Sequence, residues 1–258
     1  MKYIATTVMA LVIFSGGMCL GQQMPWENSE YTRDIPATQA DSRAKERAEG
    51  GWIAFVKHHE NRKQWVTGKD VDLLFIGDSI LFEYRRSGKE VWDKYYGGRN
   101  AENIASSGDA TQHMLWHFQD GGLDGMKHRN PKVVVLLLGT NNRGEPENAG
   151  QDTAVGVLAL LKELHHRLPE SRIVLMALLP RGWTAKDQCR IRNNQVNQII
   201  RTYADNKTVY WLDIGAVFID GEGNLNRDLM KDAVHPNLKG YYAMSEAMEP
   251  MLKELLAE

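Results

Sequence analysis

A three-layer α/β/α domain built on a five-stranded parallel sheet is the fold this sequence predicts. Two unbroken apolar runs, Leu73-Leu74-Phe75-Ile76 and Val133-Val134-Val135-Leu136-Leu137-Leu138, point to it first. Neither run alternates with polar residues, so each reads as a strand buried on both faces, the condition of a parallel sheet covered by helices. The third observation is the spacing of the strand-like segments. Stretches of helical length separate most of them, which implies right-handed crossovers with helices on both faces of the sheet.

Each element follows in order. Residues 22–67 are polar and charged, start irregularly around Pro25 and Pro36, and carry Trp26, Trp52 and Trp65. Within them 41–65 reads as a helix, with Ala44, Ala48, Trp52, Phe55 and Val56 near one face, and the whole segment reads as a lead-in packed on the main domain. Strand 71–77 stops at Gly77-Asp78-Ser79. A helical pattern over 80–96 ends at Gly97-Gly98. Residues 102–105 form a short strand, and 111–119 a helix closed by Gly121-Gly122. The central strand is 132–138. A long helix follows, with Val157, Leu160, Leu161, Leu164 and Leu168 on one stripe, ended by Pro169. Strand 172–179, helix 186–203, strand 208–213 and a closing helix over 237–256 complete the chain.

At 258 residues, one sizeable core suffices and no second domain is required. A hydrophobic fraction of 43% with 25% charged residues is ordinary for a globular protein, and a formal net charge of -2 argues against a nucleic-acid partner. Lys2, an apolar stretch from Ala5 to Phe14 and Cys19-Leu20-Gly21 read as a cleaved signal peptide over residues 1–21, placing the product in the periplasm or outside the cell. No stable membrane span is expected after its removal, since a span needs about 20 apolar residues. Met18 before Cys19 fits lipoprotein processing poorly. Cys189 is then left without an internal disulfide partner and reads as a bystander thiol.

Chemistry concentrates just beyond the strand ends on one edge of the sheet, where open α/β sheets bind ligands. Ser79 follows the first strand, Ser106-Ser107-Gly108-Asp109 the second and Gly139-Thr140-Asn141-Asn142 the third, while Asp232-Ala233-Val234-His235 precedes the last helix. Taken alone, Gly-Asp-Ser is an ordinary strand-to-helix turn, Gly108 turn punctuation, Asn141 a cap and Asp232 a turn former. Together they are complementary. A serine hydroxyl needs a base, and His235 can supply one. Asp232, three residues earlier, can accept the His235 Nδ1 proton and leave Nε2 facing the serine. The Gly108 backbone and the Asn141 amide offer donors to a developing oxyanion without titrating. His113 and His117, four apart on a predicted helix, are read as helix-surface histidines because no further ligands complete a metal site. His58-His59 and His165-His166 are read as solvated.

The blocks Gly77-Asp78-Ser79, Gly108, Gly139-Thr140-Asn141 and Asp232-x-x-His235 resemble those of the GDSL/SGNH hydrolase superfamily. Phe75-Ile76-Gly77-Asp78-Ser79, Gly108 to Trp116, Val133 to Asn142 and Leu178-Leu179-Pro180-Arg181-Gly182 are similar to platelet-activating factor acetylhydrolase catalytic subunits and their bacterial relatives. The resemblance implies a flavodoxin-like sheet in an SGNH hydrolase domain over 68–258. It also implies Ser79 as nucleophile, Asp232 and His235 as its partners, and the Ser79 and Gly108 N–H groups with Asn141 as the oxyanion hole. The chain departs from close relatives at Ser106-Ser107, where they carry a glycine-rich turn. The function expected is a serine esterase removing short acyl groups, acetyl above all, from a small-molecule or glycan ester, with a carbohydrate O-acetylesterase in first place. The alternatives are a lipid deacetylase and a non-catalytic glycan-binding protein using Trp92, Trp116 or Trp183. No cofactor and no metal are expected, and homodimerisation is left open.

Overall fold

The structure is a computed structural model that describes residues 49–127, 130–142 and 148–257, with side chains from Lys57 onward in its first helix. The signal-peptide reading of 1–21 and the first part of the 22–67 lead-in, including Trp26, lie outside the described residues. Strands β1 (Leu73–Gly77), β2 (Ala101–Asn103), β3 (Val133–Leu137), β4 (Arg172–Met176) and β5 (Val209–Leu212) alternate with helices. They form one five-stranded sheet in the order β2-β1-β3-β4-β5, every pair parallel. Every residue of β1 and β3 is buried, as expected of apolar runs without alternation. Each fully buried Leu, Val or Phe there contributes about 1.5–3 kcal/mol relative to exposure.

Among the described residues, seven α-helices accompany the sheet: α1 (Glu49–Val66), α2 (Ser79–Phe82), α3 (Lys89–Tyr95), α4 (Thr111–Gln119), α5 (Ala149–Arg167), α6 (Gln188–Ile200) and α7 (Leu238–Ala257). Helices α4, α5 and α6 pack side by side, and α3 packs against α7. The chain runs from β1 to β2 on one side and then crosses back to β3 on the other. That reversal opens a crevice at the carboxyl ends of β1, β2 and β3.

The structure departs from sequence expectation in instructive places. The single helix expected over 80–96 is broken into α2, a 3-10 turn at Glu83–Arg85, and α3. Gly88 sits at the break because a Cβ there would lie 3.0 Å from the buried Tyr241 ring. β4 ends at Met176 although the apolar run continues to Leu179, because α6 intervenes. Asn197 accepts from the Leu178 N–H at 2.8 Å and donates to the Leu178 carbonyl at 2.9 Å, replacing a strand partner with a side chain.

The histidines are corrected most sharply. His113 and His117, expected on a helix surface, are buried, and so is His59, expected in solvent. For His59 and His117 the reason is the docking of α1 on α4, which buries the two rings against each other. His59 donates through Nε2 to Asp120 at 2.7 Å, and its Nδ1 lies 2.7 Å from His117 Nδ1. Because the carboxylate can only accept, His59 carries its proton on Nε2 and His117 donates from Nδ1. Burial holds both rings below the usual histidine range, with the positive charge of Arg62 adding to the shift at His117. His113 is fixed in another way: its Nδ1 accepts the Ala110 N–H at 2.9 Å, closing the first turn of α4.

Candidate active site

The serine is delivered by a turn that only glycine can start. A Cβ on Gly77 would fall 2.4 Å from the Leu137 carbonyl and 2.8 Å from a Leu81 methyl, so β1 must end on glycine to lie this close to β3. Asp78 then leaves the strand in an extended conformation and caps α2, its Oδ1 accepting the Ile80 N–H at 2.9 Å. Ser79 is thereby placed at the first position of α2, buried but for 9% of its surface. From the other side, α7 steadies this short helix, Tyr241 donating to the Ile80 carbonyl at 2.8 Å.

His235 comes from the segment before α7, pinned by a Met230–Pro236 bridge and by the Lys231 N–H donating to its carbonyl at 3.0 Å. Its Nε2 lies 2.8 Å from Ser79 Oγ. Its Nδ1 lies 3.0 and 3.1 Å from the two carboxylate oxygens of Asp232. A carboxylate accepts, so Nδ1 carries the proton and Nε2 receives the serine hydroxyl. Burial opposes ionisation of Asp232. The backbone N–H and ring of His235, with the Val234 N–H at 2.8 Å, outweigh it and hold the carboxyl below the usual range. The group is therefore ionised at neutral pH.

The opposite wall is made by the turns after β2 and β3, the strands flanking β1. Gly108 has φ +75°, a left-handed conformation suited to glycine. Asn141 donates one amide hydrogen to the Asp109 carbonyl at 3.1 Å, which fixes the amide plane and leaves its second hydrogen to point elsewhere. The neighbouring Asn142 is structural: it accepts from the Thr111 N–H at 3.0 Å and donates to the Thr111 hydroxyl at 2.7 Å, tying the β3 turn to α4. A cavity of about 310 Å³ borders Gly108 and Asn141 and is lined further by Gln112, Asn142, Arg181 and Arg192, with Cys189 at its edge. Both arginines reach the Thr140 carbonyl, at 2.8 and 3.1 Å. Asn193 donates to the Thr140 hydroxyl at 3.1 Å. A larger hollow of about 490 Å³ lies around Trp183 and the 220–228 loop and includes none of these groups.

Ser79, Asp232 and His235 are thus in hydrogen-bond contact, and Gly108 and Asn141 face one cavity on adjacent turns. Sequence reasoning passed over Arg62, Asn142, Arg181, Arg192 and Asn193. Of these, Arg181 stood in a quoted block, and Asn142 beside a candidate. Arg62, Arg192 and Asn193 lie in polar helical stretches that carry no distinguishing pattern. Asp78 also acquires a special environment. Burial pushes it up to about 7, opposed by the Ile80 N–H and reinforced by the nearby charge of Asp109. The ligand atoms of His59, Glu60 and Asp120 lie within 4.8 Å of one another. Lys63 already supplies a cation there, 2.9 Å from Glu60 and 2.7 Å from Asp120.

A model of the GDSL-like lipase/acylhydrolase family matches residues 75–243. The chain is similar to platelet-activating factor acetylhydrolase IB subunit alpha1 of Homo sapiens, 32% identical over 191 residues, covering 74% of this chain and 79% of that protein. The alpha2 subunit of Rattus norvegicus is 31% identical, with 74% and 80% covered. Among solved structures, a GDSL-like lipase from Bacteroides thetaiotaomicron superposes with TM-score 0.61 at 17% identity, covering 77% of this chain and 97% of that one. An acetylxylan esterase from Geobacillus stearothermophilus superposes with TM-score 0.53 at 17% identity, with 74% and 96% covered. At such identities the superpositions show the fold.

Proposed function

The chain belongs to the GDSL-like lipase/acylhydrolase family and is an ester-hydrolysing enzyme, and from that premise we propose that it removes acetyl groups from a carbohydrate ester through an acyl-enzyme. Ser79 Oγ attacks the ester carbonyl while His235 Nε2 takes its proton, and Asp232 holds the imidazolium that results. The Ser79 and Gly108 N–H groups and the free hydrogen of the Asn141 amide receive the oxyanion. The carbon–oxygen bond to the alcohol then breaks, and His235 returns the proton to the leaving oxygen. Water attacks the acylated serine with His235 again as base, and acetate departs.

The observation that carries the substrate class is the cavity beside Gly108 and Asn141. Its amides and guanidinium groups suit a hydroxylated partner better than an alkyl chain. Ile80 and Thr140, each buried and next in sequence to Ser79 and Asn141, are read as crowding the acyl side, which supports a small acyl group. Reading residues 1–21 as an export signal places the enzyme where polymeric glycans are met. A lipid acetyl ester is the second reading, favoured by the names of the curated relatives. The test compares kcat/KM for an acetylated oligosaccharide, an acetylated glycerolipid and a p-nitrophenyl series from acetyl to octanoyl. Preference for the oligosaccharide and a fall along the series is the expected result; preference for the lipid, or a rise toward octanoyl, overturns the proposal.

A further inference from the structure

Helix α1 precedes the segment matched by the family model, which begins at residue 75, yet two of its side chains reach the turn that carries Gly108. Arg62 is the point of contact. Only 1% of it is exposed, although arginine is rarely buried without dedicated partners. Its Nη1 lies 3.2 Å from Asp109 Oδ2, its Nε donates to the Ile104 carbonyl at 2.9 Å, and its Nη2 lies 3.4 Å from Met114 Sδ. One planar guanidinium therefore grips the chain just before the 105–109 turn, at its end, and on the helix that follows. His58 adds a second tie from α1, its Nε2 lying 3.1 Å from Ser106 Oγ. The far side of Asp109 faces the chemistry: its carbonyl is the group that orients the Asn141 amide.

We propose that Arg62 is a positioning residue for the oxyanion hole, holding the Gly108–Asp109 turn and, through the Asp109 backbone, the Asn141 amide, so that α1 is part of the active site. The proposal rests on the reading of Gly108 and Asn141 as oxyanion donors. Its physical basis is leverage. Asp109 is fully buried and its charge raises the neighbouring buried Asp78 carboxyl, so removing the guanidinium takes away a cation 3.2 Å from one of two buried acids. A turn that relaxes moves the Gly108 N–H and the Asn141 amide together. Donors displaced from the oxyanion weaken transition-state binding and leave ground-state binding largely as it was.

The experiment uses the purified chain with p-nitrophenyl acetate and compares Arg62→Met, Arg62→Lys, Arg62→Met/Asp109→Asn and Asn141→Ala. Arg62→Met alone removes the cation beside the buried Asp109 and can fail to fold. The double variant removes the Asp109 carboxyl as well and serves as the folded reference. The expected result is a double variant with near-native melting temperature but kcat lowered about 10- to 100-fold at nearly constant KM, with Arg62→Lys in between. Adding Asn141→Ala to the double variant should cost less than it does in the wild type, because both changes act on the same donor. Recovery of stability and kcat together in the double variant, or full independence from Asn141→Ala, overturns the proposal. A fully active Asn141→Ala enzyme instead overturns the oxyanion reading itself, and the proposal with it.

Discussion

Replacing Asp78 by Asn tests the electrostatics beside Ser79. Asp78 is 1% exposed, and its carboxyl is pushed up to about 7 from 3.8, burial being the main cause. Ionising it in the folded protein is therefore disfavoured relative to the unfolded chain by about 4 kcal/mol at full extent. The sign follows from proton binding. Between the unfolded and folded values the folded state holds the extra proton, so this group's contribution is fully present at low pH and is lost as pH rises toward 7 and beyond. Asn keeps an oxygen to accept the Ile80 N–H and has no charge to lose. Urea unfolding of wild type and variant at about pH 5 and about pH 8.5 should show the variant gaining about 2 to 3 kcal/mol on the wild type between the two conditions. A difference that does not change with pH, or that shrinks as pH rises, refutes the reasoning.

Three further outcomes follow from the same structure. Asn141→Ala should lower kcat about 10²- to 10³-fold with little change in KM, as loss of one oxyanion donor does; steady-state kinetics on p-nitrophenyl acetate checks it. His59 and His117 are held below the usual histidine range chiefly by burial, so the stability they provide as neutral rings is present above about 6.5 and is lost as pH falls below it. In an Asp78→Asn background, which removes the opposing trend, unfolding free energy should drop on acidification, and a rise contradicts the assignment. Gly77→Ala would place a Cβ 2.4 Å from the Leu137 carbonyl, a backbone atom that cannot swing aside, so loss of melting temperature and activity together is expected.

How far the sequence could be read depended on where the information lay. β1 and β3 were legible because their two-sided burial is written as continuous apolar runs. Ser79, Asp232 and His235 stood at element ends, where a parallel sheet gathers side chains whatever the loop details. The break between α2 and α3 was hidden, since it depends on the Tyr241 ring more than a hundred residues downstream. The end of β4 was hidden for the same kind of reason: the Asn197 side chain, not a turn residue, takes over the backbone of Leu178. His59 was misjudged because exposure was inferred from its charged neighbours, and His113 and His117 because the lack of a metal site was taken to leave them on the helix surface; in the fold α1 and α4 bury His59 and His117 against each other. Arg62 carried no local signal at all, as its partners Ile104, Asp109 and Met114 are contacts of the folded chain.

The most direct test of the account is hydrolysis of p-nitrophenyl acetate by the purified wild-type chain and by Ser79→Ala, each with and without EDTA. The hydrogen bond of 2.8 Å between Ser79 Oγ and His235 Nε2 predicts turnover in the wild type that EDTA leaves unchanged and that the alanine variant loses by several orders of magnitude. Equal turnover in wild type and variant would contradict the assignment of Ser79 as nucleophile, and turnover abolished by EDTA would contradict a mechanism carried by these side chains alone.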